Sequence, residues 1–408
     1  MITVQEAHGI VASALPAAQA VETVMLEAIA GRVLAEEVRA GFPMPRFTNA
    51  AMDGFAVRFD DIRAAVPEQP ARLPVAMELP AGATQVPGLP AGSCARIMTG
   101  APLPEGADTV VAFEETSGFG SGTVEFYKPP KRGANIRHAG EEVDAGEVLV
   151  TKGTRATPAV TAILATFGFA SARVCRRPRV TVLTVGDELR MPGEAAGPLA
   201  IYNSNLPMLE ACVRAVGAEV SEALQLPDDP ERIGQAIRKA LDDSNILVTA
   251  GGISTGQYDF VQAELTGLGV TQRFWKVAQK PGKPLYFGTA PSGSLVFSLP
   301  GNPVSALVCF LEYCTPALYR MQGVEPPAKI GALLETPFPT DRKRHRFLFG
   351  RLRVAEGRLL CSVSSKIESH MLTASGGANC IVEAPASEEP LAPGTLVTCN
   401  LLPWAGAF

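Results

Sequence analysis

The sequence predicts a multidomain protein of the α/β plus β class. It should contain a three-layer α/β domain with a mainly parallel sheet, a β-rich module inserted into a helical N-terminal region, and a C-terminal β-barrel-like domain. Three observations carry this prediction. Residues 175–326 alternate apolar, strand-like runs with amphipathic helical segments. Residues 46–140 shift to short apolar runs broken by Pro and Gly, with helical patterns on either side in residues 1–45 and 141–174. Residues 327–408 turn to short alternating strands. A chain of 408 residues is too long for one ordinary core, and its 47% hydrophobic and 19% charged content is that of a globular protein.

Thr3 and Glu6 have the spacing of a capping box, and the helix they open carries Ile10, Val11 and Leu15 before Pro16 stops it. The next segment, VMLEAIAGRVLAEEV, mixes helix formers with Gly31 and closes the N-terminal piece. Asp53-Gly54 in NAAMDGFAV is a pair that commonly makes a tight turn between strands. Thr99-Gly100, followed by Pro102 and Pro104, forms a rigid loop that holds a hydroxyl beside exposed backbone. Gly140-Glu141-Glu142 reads as a charged turn. Thr157-Pro158 then starts a helix that ends at Gly168, with Val160, Ile163, Leu164 and Phe167 on one face. Packing of that helix on the N-terminal ones implies that the chain leaves the helical region, builds the β module and returns nearby.

RPRVTVLTVGDEL begins the α/β domain as a buried strand breaking into Gly186-Asp187-Glu188. Leu206, Leu209, Val213 and Val216 share one helical face, as do Ile233, Ile237 and Leu241. Strands alternating with such helices imply right-handed crossovers and ligands bound beyond the strands' carboxyl ends. There the Gly186 turn, Asp228-Asp229 and the loop from Gly251 to Gly256 are expected to converge. That loop leaves amides uncovered ahead of a helix through Phe260, Val261 and Leu265, and so suits an anion. Lys276, Lys280 and Lys283 surround Pro281-Gly282, with no Asp or Glu between Leu265 and Leu311 to neutralise them. Leu299-Pro300-Gly301-Asn302-Pro303 leads into a helix capped by Asn302 with Pro303 in its first turn. Carboxylates beside a lysine-rich anion site suggest Mg²⁺ bridging a phosphate. Each feature also has a structural reading: a tight connection, a solvated rim, or a helix start at Asp228-Asp229-Pro230 and Asp259. Gln257 stands where a P-loop needs Lys, and no G-x-G-x-x-G occurs here.

A net charge of -5 argues against non-specific nucleic-acid binding. The 8 cysteines lack C-x-x-C spacing and read as buried thiols in a reducing compartment. The 4 histidines, His138 among them, lack the paired spacing of a metal site. No signal sequence and no membrane-spanning run is evident, so the cytoplasm is the expected location.

The strings GGISTGQYD, KPGKP and LPGNPVSA resemble those of the molybdopterin molybdenumtransferases, the molybdenum insertases that complete molybdenum cofactor synthesis and are related to the C-terminal domain of gephyrin. NAAMDGFAV and CARIMTGAPLPEGADTVVAFEE extend the likeness over nearly the whole chain. The resemblance implies that adenylated molybdopterin is bound, molybdate is inserted at its dithiolene and AMP is released, with Mg²⁺ as cofactor. It places catalytic positions at Asp53, Thr99, Glu142, Glu188, Asp228 and Asp259, with Glu188, Asp228 and Asp259 on the metal. Glu142 departs mildly, since the family usually has Asp there. Substrate contacts fall on Gly251, Gly252, Ser254, Gly256, Lys276, Lys280, Lys283, Pro300, Gly301, Asn302 and Pro303. Arg351 and Ser375 join them from the C-terminal domain, while Phe347 and Phe349 read as core. The resemblance also implies a homodimer with a shared site, in which Asp53 acts in the partner's site, and allows contact with other molybdenum cofactor biosynthesis proteins. No Ser-His or Cys-His constellation is evident, so positioning and electrostatics are expected rather than a covalent enzyme intermediate. Two other readings stay open: a molybdopterin adenylyltransferase with the related α/β fold, and a non-catalytic scaffold.

Overall fold

The computed structural model describes residues 1–16, 20–120, 122–252 and 260–406. Two compact units divide the chain: Met1–Ala35 with Gly153–Thr157 and Ser171–Phe408, and Glu36–Lys152 with Pro158–Ala170. The first unit opens with α1 (Val4–Ser13), where the Thr3 hydroxyl accepts from the Glu6 amide at 3.2 Å and the Glu6 carboxylate accepts from the Thr3 amide at 2.7 Å. Beyond it the helix formers do not make a second α-helix. Val21–Met25 is a strand, paired antiparallel with Ser171–Cys175, and Gly31 turns the chain at φ 75°. The β-branched Val21, Thr23 and Val24 suit an extended partner, and that pairing overrides local propensity.

The α/β part follows as β1 (Arg179–Val185), α2 (Asn205–Ala215), β2 (Glu219–Leu226), α3 (Pro230–Asp243), β3 (Ile246–Ala250), α4 (Phe260–Gly267), β4 (Thr271–Trp275), β5 (Gln279–Lys280), β6 (Tyr286–Thr289), β7 (Leu295–Leu299) and α5 (Pro303–Cys309). Six of these strands form one sheet in the order β2-β1-β3-β7-β6-β4. β1 pairs in parallel with β2 and β3, and β3 with β7; β6 runs antiparallel between β7 and β4, which restores β4 to the common direction. Alternation along each strand makes the three layers. Ile246 and Val248 pack with Leu206 and Leu209 of α2 and Leu307 of α5, whereas Leu247 packs with Ile233 and Ile237 of α3 and Val261 of α4.

The C-terminal part contains β8 (Ile330–Leu334), β9 (His345–Ala355), β10 (Arg358–Val363), β11 (Cys380–Ala384) and β12 (Leu396–Leu401). They pair in the order β9-β10-β8-β12-β11, and β11 pairs back to β9, closing a five-stranded barrel without an open edge. Leu348, Leu352 and Val382 belong to its core, while Phe347 and Phe349 are buried in the core of the α/β part. β5 lies outside the ring and pairs in parallel with β9, Gln279 opposite His345 and Lys280 opposite Arg346.

The second unit is built on a five-stranded sheet in the order Thr109–Ala112, Gly54–Val57, Cys94–Ile97, Ala71–Leu79, Thr123–Phe126. The helix Pro158–Thr166 belongs to this unit, where Phe167 stacks on Phe42 with ring centroids 5.2 Å apart. Val160 and Leu164 are buried, but Ile163, expected on the same face, is exposed. All eight cysteines are buried. Among the described residues no helix is long and apolar enough to cross a membrane.

Candidate functional site at the carboxyl edge of the sheet

β1 and β2 end side by side, and their turns are tied reciprocally. The Asp187 amide donates to Asp228 Oδ2 at 3.3 Å, and the Asp228 amide donates to Asp187 Oδ1 at 3.1 Å. Glu188 folds back over Gly186, where a Cβ would stand 2.5 Å from Glu188 Oε2. Asp229 is used structurally: its carboxylate caps α3 by accepting from the amides of Glu231 and Arg232 at 3.0 and 3.3 Å. Asp187, Glu188 and Asp228 therefore occupy neighbouring turns. Among the described residues, however, no three His, Cys, Asp or Glu side chains gather closely enough to hold a metal ion by themselves.

β3 ends in Gly251 and Gly252, both with positive φ, 92° and 67°. A Cβ at Gly251 would lie 2.6 Å from the Val185 carbonyl oxygen, and one at Gly252 2.8 Å from Val261 Cγ2. Both positions need glycine for conformation and space alone. The Gly251 amide is also not open, since it donates to the Leu299 carbonyl at 3.3 Å. Ser254, Gly256 and Asp259 lie outside the described residues.

β7 leads into Pro300, Gly301 and Asn302, and Pro303 starts α5 as expected. Asn302 does not cap that helix with its side chain. Its Nδ2 instead donates to Ser369 Oγ at 3.3 Å, while the Gly301 carbonyl accepts from Asn205 Nδ2 at 2.7 Å.

The lysine loop connects β4 to β6. Lys276 has φ 70° and holds its ammonium 3.7 Å from the centroid of the Trp275 ring. Lys280 lies 3.8 Å from Glu368 Oε2, and Lys283 is exposed. The loop sits against α5 because Gly282 has no side chain; a Cβ there would be 2.4 Å from Cys309 Sγ. The segment itself lacks carboxylates, but Glu368, between β10 and β11, supplies one in space. β4 stands four places from β1 in the sheet, about 19 Å at the usual strand spacing. Lys276 thus follows an edge strand across the sheet from the acidic turns, while Gly282 brings the rest of the loop back against α5, next to the β7 turn.

Arg351 lines a hollow of about 300 Å³ on the barrel together with Ser362, Ser364, Lys366 and Thr373. The Ser375 hydroxyl turns away into its own loop, donating to the Leu372 carbonyl at 2.8 Å. In the second unit Asp53 Oδ1 accepts from both the amide and the hydroxyl of Thr99, each at 2.7 Å. Those two bonds hold the exposed Asp53 carboxyl below its ordinary range. Gly54 is not a turn residue: it begins a strand, and a Cβ there would meet the Val111 carbonyl oxygen at 2.0 Å. Glu142 is exposed in another turn, its amide donating to the Met44 carbonyl at 3.0 Å.

Residues 2–168 match the MoeA N-terminal region (domain I and II), residues 181–320 the probable molybdopterin binding domain, and residues 332–402 the MoeA C-terminal region (domain IV). The chain is 36% identical over 402 residues to molybdopterin molybdenumtransferase 2 of Mycobacterium tuberculosis, covering 97% of this chain and 98% of that one. Over 386 residues it is 36% identical to the molybdopterin molybdenumtransferase of Bacillus subtilis, covering 93% and 90%. The chain belongs to the molybdopterin molybdenumtransferase family. Its fold is similar to that of the molybdopterin biosynthesis MoeA protein from Pyrococcus horikoshii, with a TM-score of 0.86 at 31% identity and coverage of 98% and 99%. Family membership makes it a transferase of molybdenum cofactor biosynthesis. Asp187, Trp275, Glu368 and Ser369 join the edge in addition to the expected site residues. Asp187 was visible in the Gly-Asp-Glu turn, whereas nothing local marks Glu368 or Ser369 as neighbours of Lys280 and Asn302.

Proposed function

We propose that this chain transfers molybdenum from molybdate to the dithiolene of adenylated molybdopterin and releases AMP. The observation that carries the reading is the row of turns along one sheet edge, with carboxylates at the ends of β1 and β2 and cations beyond β7. A pterin joined to an adenylate through a phosphoanhydride is elongated and anionic, so it suits a row better than a point. Cleaving the anhydride requires charge to be neutralised along the phosphates, and Lys276, Lys280 and Lys283 do this from one end. Glu188 and Asp228 offer the hard oxygen donors that fit Mg²⁺, which binds through one or two carboxylates plus phosphate oxygens. Asp259 is the further candidate ligand, and Gly252, Ser254, Gly256 and the Pro300–Pro303 turn are the substrate contacts. When bound, the ion withdraws charge from the phosphate oxygens. The hollow beside Arg351 suits molybdate, a tetrahedral dianion that Arg351 and Lys366 attract and the hydroxyls of Ser364 and Thr373 orient. The family resemblance supports a homodimer with a shared site, to which the other protomer brings Asp53, kept ionised by Thr99, and Glu142.

The test is AMP release from adenylated molybdopterin with and without molybdate. Release that needs both molybdate and Mg²⁺ is the expected result. Equal release without molybdate, or adenylation of molybdopterin from ATP with no molybdate requirement, overturns the assignment and favours an adenylyltransferase.

A further inference from the structure

Arg346 is a buried cation without a settled partner. It is the register partner of Lys280 in the parallel β5–β9 pair, so the two side chains rise from one face of the ladder about 5 Å apart. Like charges placed directly opposite repel. Arg346 is only 5% exposed. Its Nη1 donates to the Thr340 carbonyl at 3.3 Å, while Nε and Nη2 are buried with no hydrogen-bond partner among the described residues. The carboxylates around it are already engaged. Asp341 accepts from Arg344 at 2.7 and 3.3 Å, and Glu368 lies 3.8 Å from Lys280. Among the described residues Lys280, Arg344 and Arg346 thus share Asp341 and Glu368, which leaves one cation over.

Burial also pushes the Arg346 guanidinium below its usual pKa. Keeping an open guanidinium out of water is unfavourable unless an anion completes it. The fork of Nε and Nη2 matches two oxygens of a tetrahedral oxyanion, while the Lys280 ammonium adds a point charge from the adjacent strand. The patch borders the β7 turn through Ser369, which binds Asn302 next to Glu368 in sequence.

We propose that Arg346 is a further anion-binding residue, holding a tetrahedral dianion together with Lys280. Two sources share that chemistry: the phosphate of the pterin substrate and free molybdate. The proposal rests on the reading of the lysine loop as substrate-facing and adds to it a binding residue from the barrel.

The experiment uses the full chain carrying Arg351→Met, so that the barrel hollow does not contribute, and measures anion affinity by calorimetry together with the melting temperature. The probes are sodium molybdate and inorganic phosphate. Adding Arg346→Met should weaken the preferred anion about ten- to a hundred-fold, the loss of a charge-assisted hydrogen bond pair. The anion-free melting temperature should stay level or rise, because an unmatched buried charge has gone. Stronger binding of molybdate assigns the metal-bearing oxyanion to this clamp, and stronger binding of phosphate assigns the phosphate of the pterin substrate. Unchanged affinity overturns the proposal whatever the melting temperature does, and a lower anion-free melting temperature beside it makes Arg346 structural. If Arg346→Met does not fold, Arg346→Lys decides, since it keeps the charge and loses the fork: unchanged affinity for both anions overturns the proposal as well. Binding is read here without turnover, so failure of the AMP assay and failure of the clamp are separate results.

Discussion

Glu312 and His8 give the protein two opposed pH dependences that one substitution should separate. Glu312 is 4% exposed, accepts from Asn400 Nδ2 at 2.8 Å, and stands 3.9 Å from His8 Nε2 beside a cavity of about 520 Å³. Burial raises its pKa from 4.5 to about 7. Between those values the folded state holds the extra proton, so this stabilisation is complete below pH 4.5 and is lost as the pH rises through 7. At about 1.4 kcal/mol per unit, the effect amounts to about 3 kcal/mol. Burial lowers His8 from 6.5 to about 4. There the unfolded chain holds the extra proton, so this stabilisation is complete above pH 6.5 and is lost as the pH falls through 4. The His8 side chain is 34% exposed, and solvent trims its share to about 2 kcal/mol. Between pH 4.5 and 6.5 the slopes oppose, leaving the parent protein nearly flat, within about 1 kcal/mol. Glu312→Gln removes the falling contribution, so its stability should climb by about 2 kcal/mol across that window. His8→Phe should do the reverse. Urea unfolding at stepped pH measures both. A Glu312→Gln profile that runs parallel to the parent refutes the assignment of a shared buried proton balance to this pair.

Gly54→Ala forces a methyl against the Val111 carbonyl, where the ideal Cβ would stand at 2.0 Å; it should cost at least about 2 kcal/mol of stability, and an unchanged melting temperature refutes the close approach. Thr99→Val removes the hydroxyl bond to Asp53 and keeps the amide bond, so the Asp53 carboxyl should rise part of the way to its ordinary range in a carbon-detected titration. No rise would mean that the amide alone sets it. Mixing chains that carry Asp53→Ala with chains that carry Glu188→Ala should restore AMP release that neither variant shows alone, and absence of recovery counts against a shared site.

Where local chemistry and tertiary packing agree, the fold was readable from the residues. The α1 capping box, the α2 and α3 faces and the run of buried strands from Arg179 to Leu299 are all present. The exceptions have physical causes. Val21–Met25 is extended because a distant strand, Ser171–Cys175, offers it a ladder that local propensity cannot announce. Asn302 does stand at the N-cap position, but its side chain turns toward Ser369, donating through Nδ2, and makes no capping bond. The Gly251 turn has the composition of a loop with open amides, but its first two glycines are required by the close approach of Val185 and Val261. Glu312 gave no sequence signal at all, because a carboxylate in the apolar run LVCFLEYC becomes unusual only when His8 and Asn400 close over it.

The barrel alters how the lysine end of the edge must be understood. Read along the chain, Lys276, Lys280 and Lys283 form a bare cationic loop, and a bare loop would bind any anion by long-range attraction that salt readily screens. In space, β5 makes Lys280 part of a ladder with β9, Glu368 balances its charge, and Asn302 is fixed by Ser369 from the same barrel segment. The lysine loop and the Pro300 turn are therefore both held by residues that lie beyond Pro326 in the sequence. Such partners reduce the attraction for an arbitrary anion while fixing where the donors point, and fixed donors are what a developing phosphate charge requires.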